Sequence, residues 1–195
     1  MILMHRSVIT VVSGLPRSGT SLMMKMLEAG GIPPLTDNLR APDEDNPKGY
    51  YEFERVKKLK EDYAWLAEAK GRAVKVISAL LMYLPAEYHY RVIFMRRAMA
   101  EILASQRQML IRRGEPADAV SDAHMSALFE KHLQQVEAWL AVQPHIHVLY
   151  VNYNDLIAAP RAGAQRINEF LGGWLNVEAM AAAVDPTLHR QRARD

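Results

Sequence analysis

Residues 11–21 read VVSGLPRSGTS, a run that admits few backbone paths. The β-branched stretch over residues 7–13 predicts a buried strand that ends at Gly14. From Thr20 the pattern becomes helical: Leu22, Met23, Met26 and Leu27 share one face, and Gly30-Gly31 supply a stop. Strand, tight glycine turn and helix open a βαβ unit. Such a turn aims successive backbone N–H groups and the helix's positive end at one point, where an anion is stabilised. Ser18, Thr20 and Ser21 add hydroxyls there, and Arg17 is able to grip two oxygens at once. Glycines alone would fit a packing turn. An arginine and three hydroxyls around them point to a bound phosphate or sulfate.

Gly14 and Gly19 have the spacing of the phosphate loop of nucleotide hydrolases, yet Thr20-Ser21 stands where that loop carries lysine and then serine or threonine. An ATPase or kinase also wants an acid after a strand to hold magnesium. The apolar run over residues 91–95 is followed instead by Arg96-Arg97. The site is built from arginine and hydroxyls, and no metal is expected.

Further along, short apolar runs at 73–78, 91–95 and 146–151 predict strands. Helices are predicted over 52–70, 100–113, about 121–142 and 160–173, the last with proline near its start and glycine at its end. The proline- and acid-rich run over 31–52 has no periodicity and reads as a long functional loop. Alternating strands and helices give an α/β fold with a parallel sheet covered on both faces. A chain of 195 residues is one domain, 1–195, with room for a proper core.

Charge and composition exclude several classes. With 24 basic and 22 acidic residues, the net charge of +2 does not imply nucleic acid or an anionic membrane. The absence of cysteine removes disulfides, thiolate zinc sites and thiol nucleophiles. The N-terminal apolar run is broken by His5 and Arg6 and flows straight into the glycine loop, unlike a signal peptide. No apolar run approaches the ~20 residues of a membrane span. A soluble, cytoplasmic protein is expected. His145 and His147, two apart on a strand, are expected on one side of it without a third metal ligand, and His124 and His132 on a helix surface. The eleven methionines read as core filler.

A second basic anchor follows the strand at 91–95. Arg97 sits at its carboxyl end and Ser105 eight residues on, within the next helix, at the sheet edge where open α/β folds bind ligands. The same spacing also fits a surface arginine and an ordinary helical serine. Taken together, Pro16-Arg17-Ser18-Gly19-Thr20-Ser21 and Arg97…Ser105 resemble the two cofactor motifs of the sulfotransferases that use 3′-phosphoadenosine 5′-phosphosulfate. The first motif matches throughout, and the resemblance implies that it holds the 5′-phosphosulfate. It implies that Arg97 and Ser105 hold the 3′-phosphate, although Ala98-Met99 stands where the family usually has Asp-Pro. The run over 151–172 resembles the family's tyrosine-acidic segment and its following helix, which places Tyr153 near the adenine. The stretches over 46–52 and 74–85 are similar to those of bacterial members. The likeness covers nearly the whole chain in order and implies a three-layer α/β/α, P-loop-like fold around a central parallel sheet.

Attack by an acceptor hydroxyl or amine needs a general base. Family members with a K-x-H strand use its histidine, but here Lys75-Val76-Ile77 has none. Other branches use a glutamate after the first helix and loop, for which Glu52 is the best counterpart and Glu54 the second. The two are two apart, so a helix would send them in different directions. Glu52 as base and Arg17 as the group stabilising the leaving phosphate form the expected catalytic pair. Lys75 is placed either near the leaving group or on a solvent-facing strand. A small-molecule or carbohydrate-type acceptor is expected, shaped by the loops at 31–51 and 114–121. Two other readings stay open: a nucleotide or small-molecule kinase needing magnesium, and a module that binds nucleotide without turning it over.

Overall fold

The computed structural model describes residues 7–37, 39, 49–116 and 120–185. Four strands form one sheet: β1 (Val8–Gly14), β2 (Ala73–Lys75), β3 (His89–Arg96) and β4 (Ile146–Asn152), in the order β2-β1-β3-β4. All three pairings are parallel. The helices are α1 (Thr20–Ala29), α2 (Met99–Arg112), α3 (Asp122–Leu140), α4 (Tyr153–Ala158), α5 (Pro160–Leu171) and α6 (Val177–Ala182). The expected three-layer α/β architecture is the one observed.

Period-two alternation in strands buried on both sides produces two cores. On one face Val11, Val74, Val92 and Phe94 pack with Trp65, Leu66 and with Val136 and Leu140 of α3. On the other, Val12, Ile93 and Val151 meet Met23 and Leu27 of α1, Ile167 and Leu171 of α5 and Met180 of α6. Met23, Met24, Met26, Met95 and Met180 are all buried, so these methionines do fill the core. The register sets Val12 beside Lys75 and Gly14 beside Met95, and Met95 beside Val151. The carboxyl ends of all four strands therefore lie along one edge, next to the glycine loop.

The helix expected over 52–70 does not form. Two 3₁₀ segments, Glu54–Lys58 and Ala64–Ala67, take its place. Asp62 breaks the run: its side chain accepts from the Ala64 N–H at 3.0 Å, a local turn that competes with helix. Its carbonyl is taken by the Trp65 indole N–H at 3.2 Å. Burial of Trp65 is complete, and the Phe53 ring meets it edge-on at 5.4 Å. Core packing of one indole outweighs the weak helical preference of the segment. A third 3₁₀ segment, Ser78–Tyr83, follows the short strand β2, and α4 and α6 had not been anticipated from the sequence.

Three histidines also differ from expectation. His145 packs against Tyr90, ring centroids 5.9 Å apart, and is buried. His147, beside Arg91 in the sheet register, lines a cavity with Leu171 and Trp174 on the other side of the sheet. Residue 145 precedes the strand, so the period of two does not reach it. His132 is half-buried, and its Nε2 lies 2.8 Å from Ser78 Oγ. Residues 38 and 40–48 of the loop at 31–51, 117–119 of the loop at 114–121, and the C-terminal residues 186–195 lie outside the described residues.

Candidate active site

The glycine loop joins β1 to α1. Gly14 has φ +144°, and a Cβ there would stand 2.6 Å from the Met95 carbonyl oxygen and from Ser18 Oγ. Gly19, at φ +98°, is the residue before α1, and its carbonyl accepts from the Met23 N–H at 3.2 Å. Only glycine fits both positions. Arg17 also has positive φ, +69°, uncommon for a side-chain-bearing residue and a mark of a conformation imposed by its surroundings.

The three hydroxyls do not behave alike. Ser18 is fully buried, and its Oγ donates to the Leu15 carbonyl at 2.7 Å while its N–H points to the same oxygen at 3.2 Å. Its side chain closes the loop from inside instead of facing outward as expected. Thr20 and Ser21, on the first turn of α1, are half-exposed, and Pro16 is exposed.

Arg97 leaves the end of β3 and turns inward, its side chain 8% exposed. Its Nη1 donates to the Arg17 carbonyl at 3.1 Å, and its guanidinium lies over the Tyr153 ring, 4.4 Å from the centroid. Arg17 Nε in turn donates to Ser105 Oγ at 2.9 Å. The two sequence motifs thus meet directly, with Tyr153 beneath them. Burial raises the Tyr153 phenol above its ordinary range; the Arg97 charge opposes that shift and Glu101 adds to it. Arg96, adjacent in sequence, goes the other way: it pairs with Glu137 of α3 at 2.7 Å and stacks on Tyr150.

Glu52 and Glu54 are separated clearly. Glu52 is half-buried, with Oε1 3.9 Å from Lys75 Nζ, and Lys75 also donates to the Tyr50 carbonyl. The Glu52 carbonyl accepts from Thr36 Oγ1 at 2.8 Å, which docks this segment beside β2. Glu54 is exposed and pairs with Lys57 at 2.7 Å. Lys75 is therefore a largely buried residue, 12% exposed, at the carboxyl edge of the sheet.

Two residues escaped the sequence reading. Glu101 is 2% exposed; its Oε2 lies 2.7 Å from Arg97 Nε, and its Oε1 accepts from Asn154 Nδ2 at 2.9 Å. The four-residue spacing from Arg97 within a helical pattern was an available signal for Glu101. Asn154 carried none. Among the described residues no group of three metal-ligating side chains occurs, and no helix is long and apolar enough to cross a membrane.

A family model described as a sulfotransferase domain matches residues 9–189, from β1 through the glycine loop and Arg97 to beyond α6. The chain belongs to the sulfotransferase domain family. Two solved sulfotransferase domains share its fold. One, from the Synechococcus PCC 7002 olefin synthase, superposes with a TM-score of 0.57 at 16% identity, covering 91% of this chain and 77% of the other. A second, from the curacin biosynthetic pathway, gives 0.52 at 15% identity, covering 92% and 88%. No curated protein sequence matches significantly. For this sulfotransferase-family chain, then, the family is established by the match over its length and the fold by these neighbours.

Proposed function

We propose that the protein transfers a sulfuryl group from 3′-phosphoadenosine 5′-phosphosulfate to the hydroxyl or amine of a small-molecule or carbohydrate-type acceptor, in the cytoplasm and without a metal. The observation that carries this reading is the direct contact of Arg17 with Ser105 and of Arg97 with the Arg17 carbonyl, over Tyr153. Residues 88 positions apart join into one basic, hydroxyl-bearing cradle at the sheet's carboxyl edge.

The donor supplies an activated S–O bond whose cleavage leaves adenosine 3′,5′-bisphosphate. Arg17, the amides of Gly19, Thr20 and Ser21 in a loop that Ser18 closes from inside, and the positive end of α1 stabilise the charge that builds on the 5′-phosphate. Pro16 shapes the entry to this loop. Arg97 and Ser105 hold the 3′-phosphate, and Tyr153 flanks the adenine. Glu52 takes the proton of the attacking group as the new S–O or S–N bond forms and the bond to the 5′-phosphate oxygen breaks. Lys75, beside it, keeps that carboxylate oriented toward the edge. A loose transition state rewards this kind of fixed positioning over covalent help from the protein.

A thermal-shift titration with adenosine 3′,5′-bisphosphate and with ADP, each with and without magnesium, tests the reading. A ligand at 100 times its Kd stabilises by about 2.7 kcal/mol, which is a melting shift of about 5–10 °C here. The expected result is that shift with the bisphosphate alone, lost in Arg97→Ala. A shift only with ADP and magnesium would overturn the donor assignment in favour of a kinase.

A further inference from the structure

Glu101 places a buried carboxylate beside a loop built to hold anions. Burial of such a charge costs several kcal/mol unless it is well paired. The pairing here is specific: Arg97 Nε at 2.7 Å on one oxygen and Asn154 Nδ2 at 2.9 Å on the other. A guanidinium offers five N–H groups in a rigid planar fork, so occupying its Nε fixes where the remaining N–H groups point. In this structure Nη1 points to the Arg17 carbonyl at 3.1 Å, and the plane rests over Tyr153. Three separate elements therefore set one side chain: α2 through Glu101, the glycine loop through Arg17, and α4 through Tyr153.

We propose that Glu101 is the positioning residue of the 3′-phosphate subsite, and that Asn154 anchors Glu101 in turn. The inference rests on the reading that Arg97 meets the 3′-phosphate. Because the Arg97–Glu101 pair is neutral as a unit, the subsite gains its grip from orientation of the guanidinium more than from net charge. Removing the carboxylate takes away one of the restraints on the Arg97 guanidinium and loosens the preorganised geometry.

The neighbourhood permits a clean substitution. Asn154 Oδ1 is buried and has no hydrogen-bond partner among the described residues. Rotation of that amide by half a turn would offer Oδ1 to the side-chain amide of a Glu101→Gln variant, whose oxygen still accepts from Arg97 Nε. Glu101→Gln keeps the contacts and loses the charge, whereas Glu101→Ala loses both.

Calorimetric titration of the full chain with adenosine 3′,5′-bisphosphate and with adenosine 5′-monophosphate isolates the 3′-phosphate as a ratio of dissociation constants. In Glu101→Ala that ratio is expected to fall about tenfold, with monophosphate affinity changed by less than about threefold. In Glu101→Gln the ratio stays within about threefold of the parent. An unchanged ratio in Glu101→Ala, or an equal loss for both nucleotides, would overturn the assignment. Asn154→Leu removes one anchor of the carboxylate without touching Arg97, and carries the test should Glu101→Ala not fold. Its ratio is expected to fall about threefold, and no fall overturns the proposal. A parent ratio near one would overturn the donor reading itself, a result separate from any of these.

Discussion

The backbone of Gly19 lies so close to the ring of Tyr153 that a Cβ on Gly19 would stand 2.4 Å from Tyr153 Cδ2. The glycine loop and the segment after β4 are thus fitted to one another, and the position of the aromatic face beneath Arg97 is set by a residue without a side chain.

Gly19→Ala should therefore be costly on two counts, contact and a backbone at φ +98°. The expected loss is about 2–4 kcal/mol in urea unfolding, with nucleotide affinity reduced at least about tenfold. Adding Tyr153→Ala removes the collision but leaves the strained φ. The double variant should be more stable than the sum of the two single losses implies, by about 1–2 kcal/mol. Strict additivity would show that the ring does not confine the loop.

Glu52 and Glu54 make a paired test of proton transfer. Glu52 sits half-buried beside Lys75, while Glu54 is exposed on Lys57. With an acceptor in hand, Glu52→Gln is expected to lower kcat by about 10²–10⁴ and leave bisphosphate affinity nearly unchanged. Glu54→Gln should stay within about threefold of the parent. Similar rates for both variants would remove Glu52 from the mechanism.

Stability at high pH should follow the tyrosines. Burial raises the Tyr90 phenol well above its ordinary range, and burial together with the Glu28 carboxylate, 2.5 Å from its hydroxyl, raises Tyr51. The folded state then holds these protons more tightly than the unfolded chain does. Their contribution is fully present below about pH 10, the ordinary tyrosine value, and is lost as pH rises through the folded values. Melting temperatures followed from about pH 7 to 11 should owe no slope to these groups near neutrality and decline above about pH 10. Tyr90→Phe and Tyr51→Phe should each flatten that decline. At neutral pH Tyr90→Phe should also cost about 1 kcal/mol, because its hydroxyl donates to the Pro85 carbonyl at 3.1 Å. An alkaline limb identical in all three proteins would show that other groups govern it.

Much of the architecture was legible because it is written locally. A β-branched run ending at Gly14, followed by helical periodicity from Thr20, has few alternatives, and β1 and α1 form there. The segment over 52–70 misled because its charges and apolar residues mimic a helix. Of the decisive interactions, the Asp62 turn is local, whereas the place of Trp65 in the core depends on what lies across the chain. Of the candidate site, the turn between β1 and α1 and the placing of Arg97 after β3 and Ser105 on α2 could be read directly. The inward hydroxyl of Ser18 and the Glu101–Asn154 link could not, since their partners are chosen by burial.

The sequence alone determined a strand–turn–helix with a glycine loop inside a parallel α/β fold, because backbone sterics and hydrophobic period act between near neighbours. Tertiary structure alone decided which like residues differ. It sent Arg96 to Glu137 on α3 and Arg97 into the site. It put Glu52 beside Lys75 and left Glu54 exposed, and it parted His145 from His147. Adjacent residues carry nearly the same local preferences. Only the packing of distant elements gives one of each pair a buried partner and leaves its neighbour on a different face.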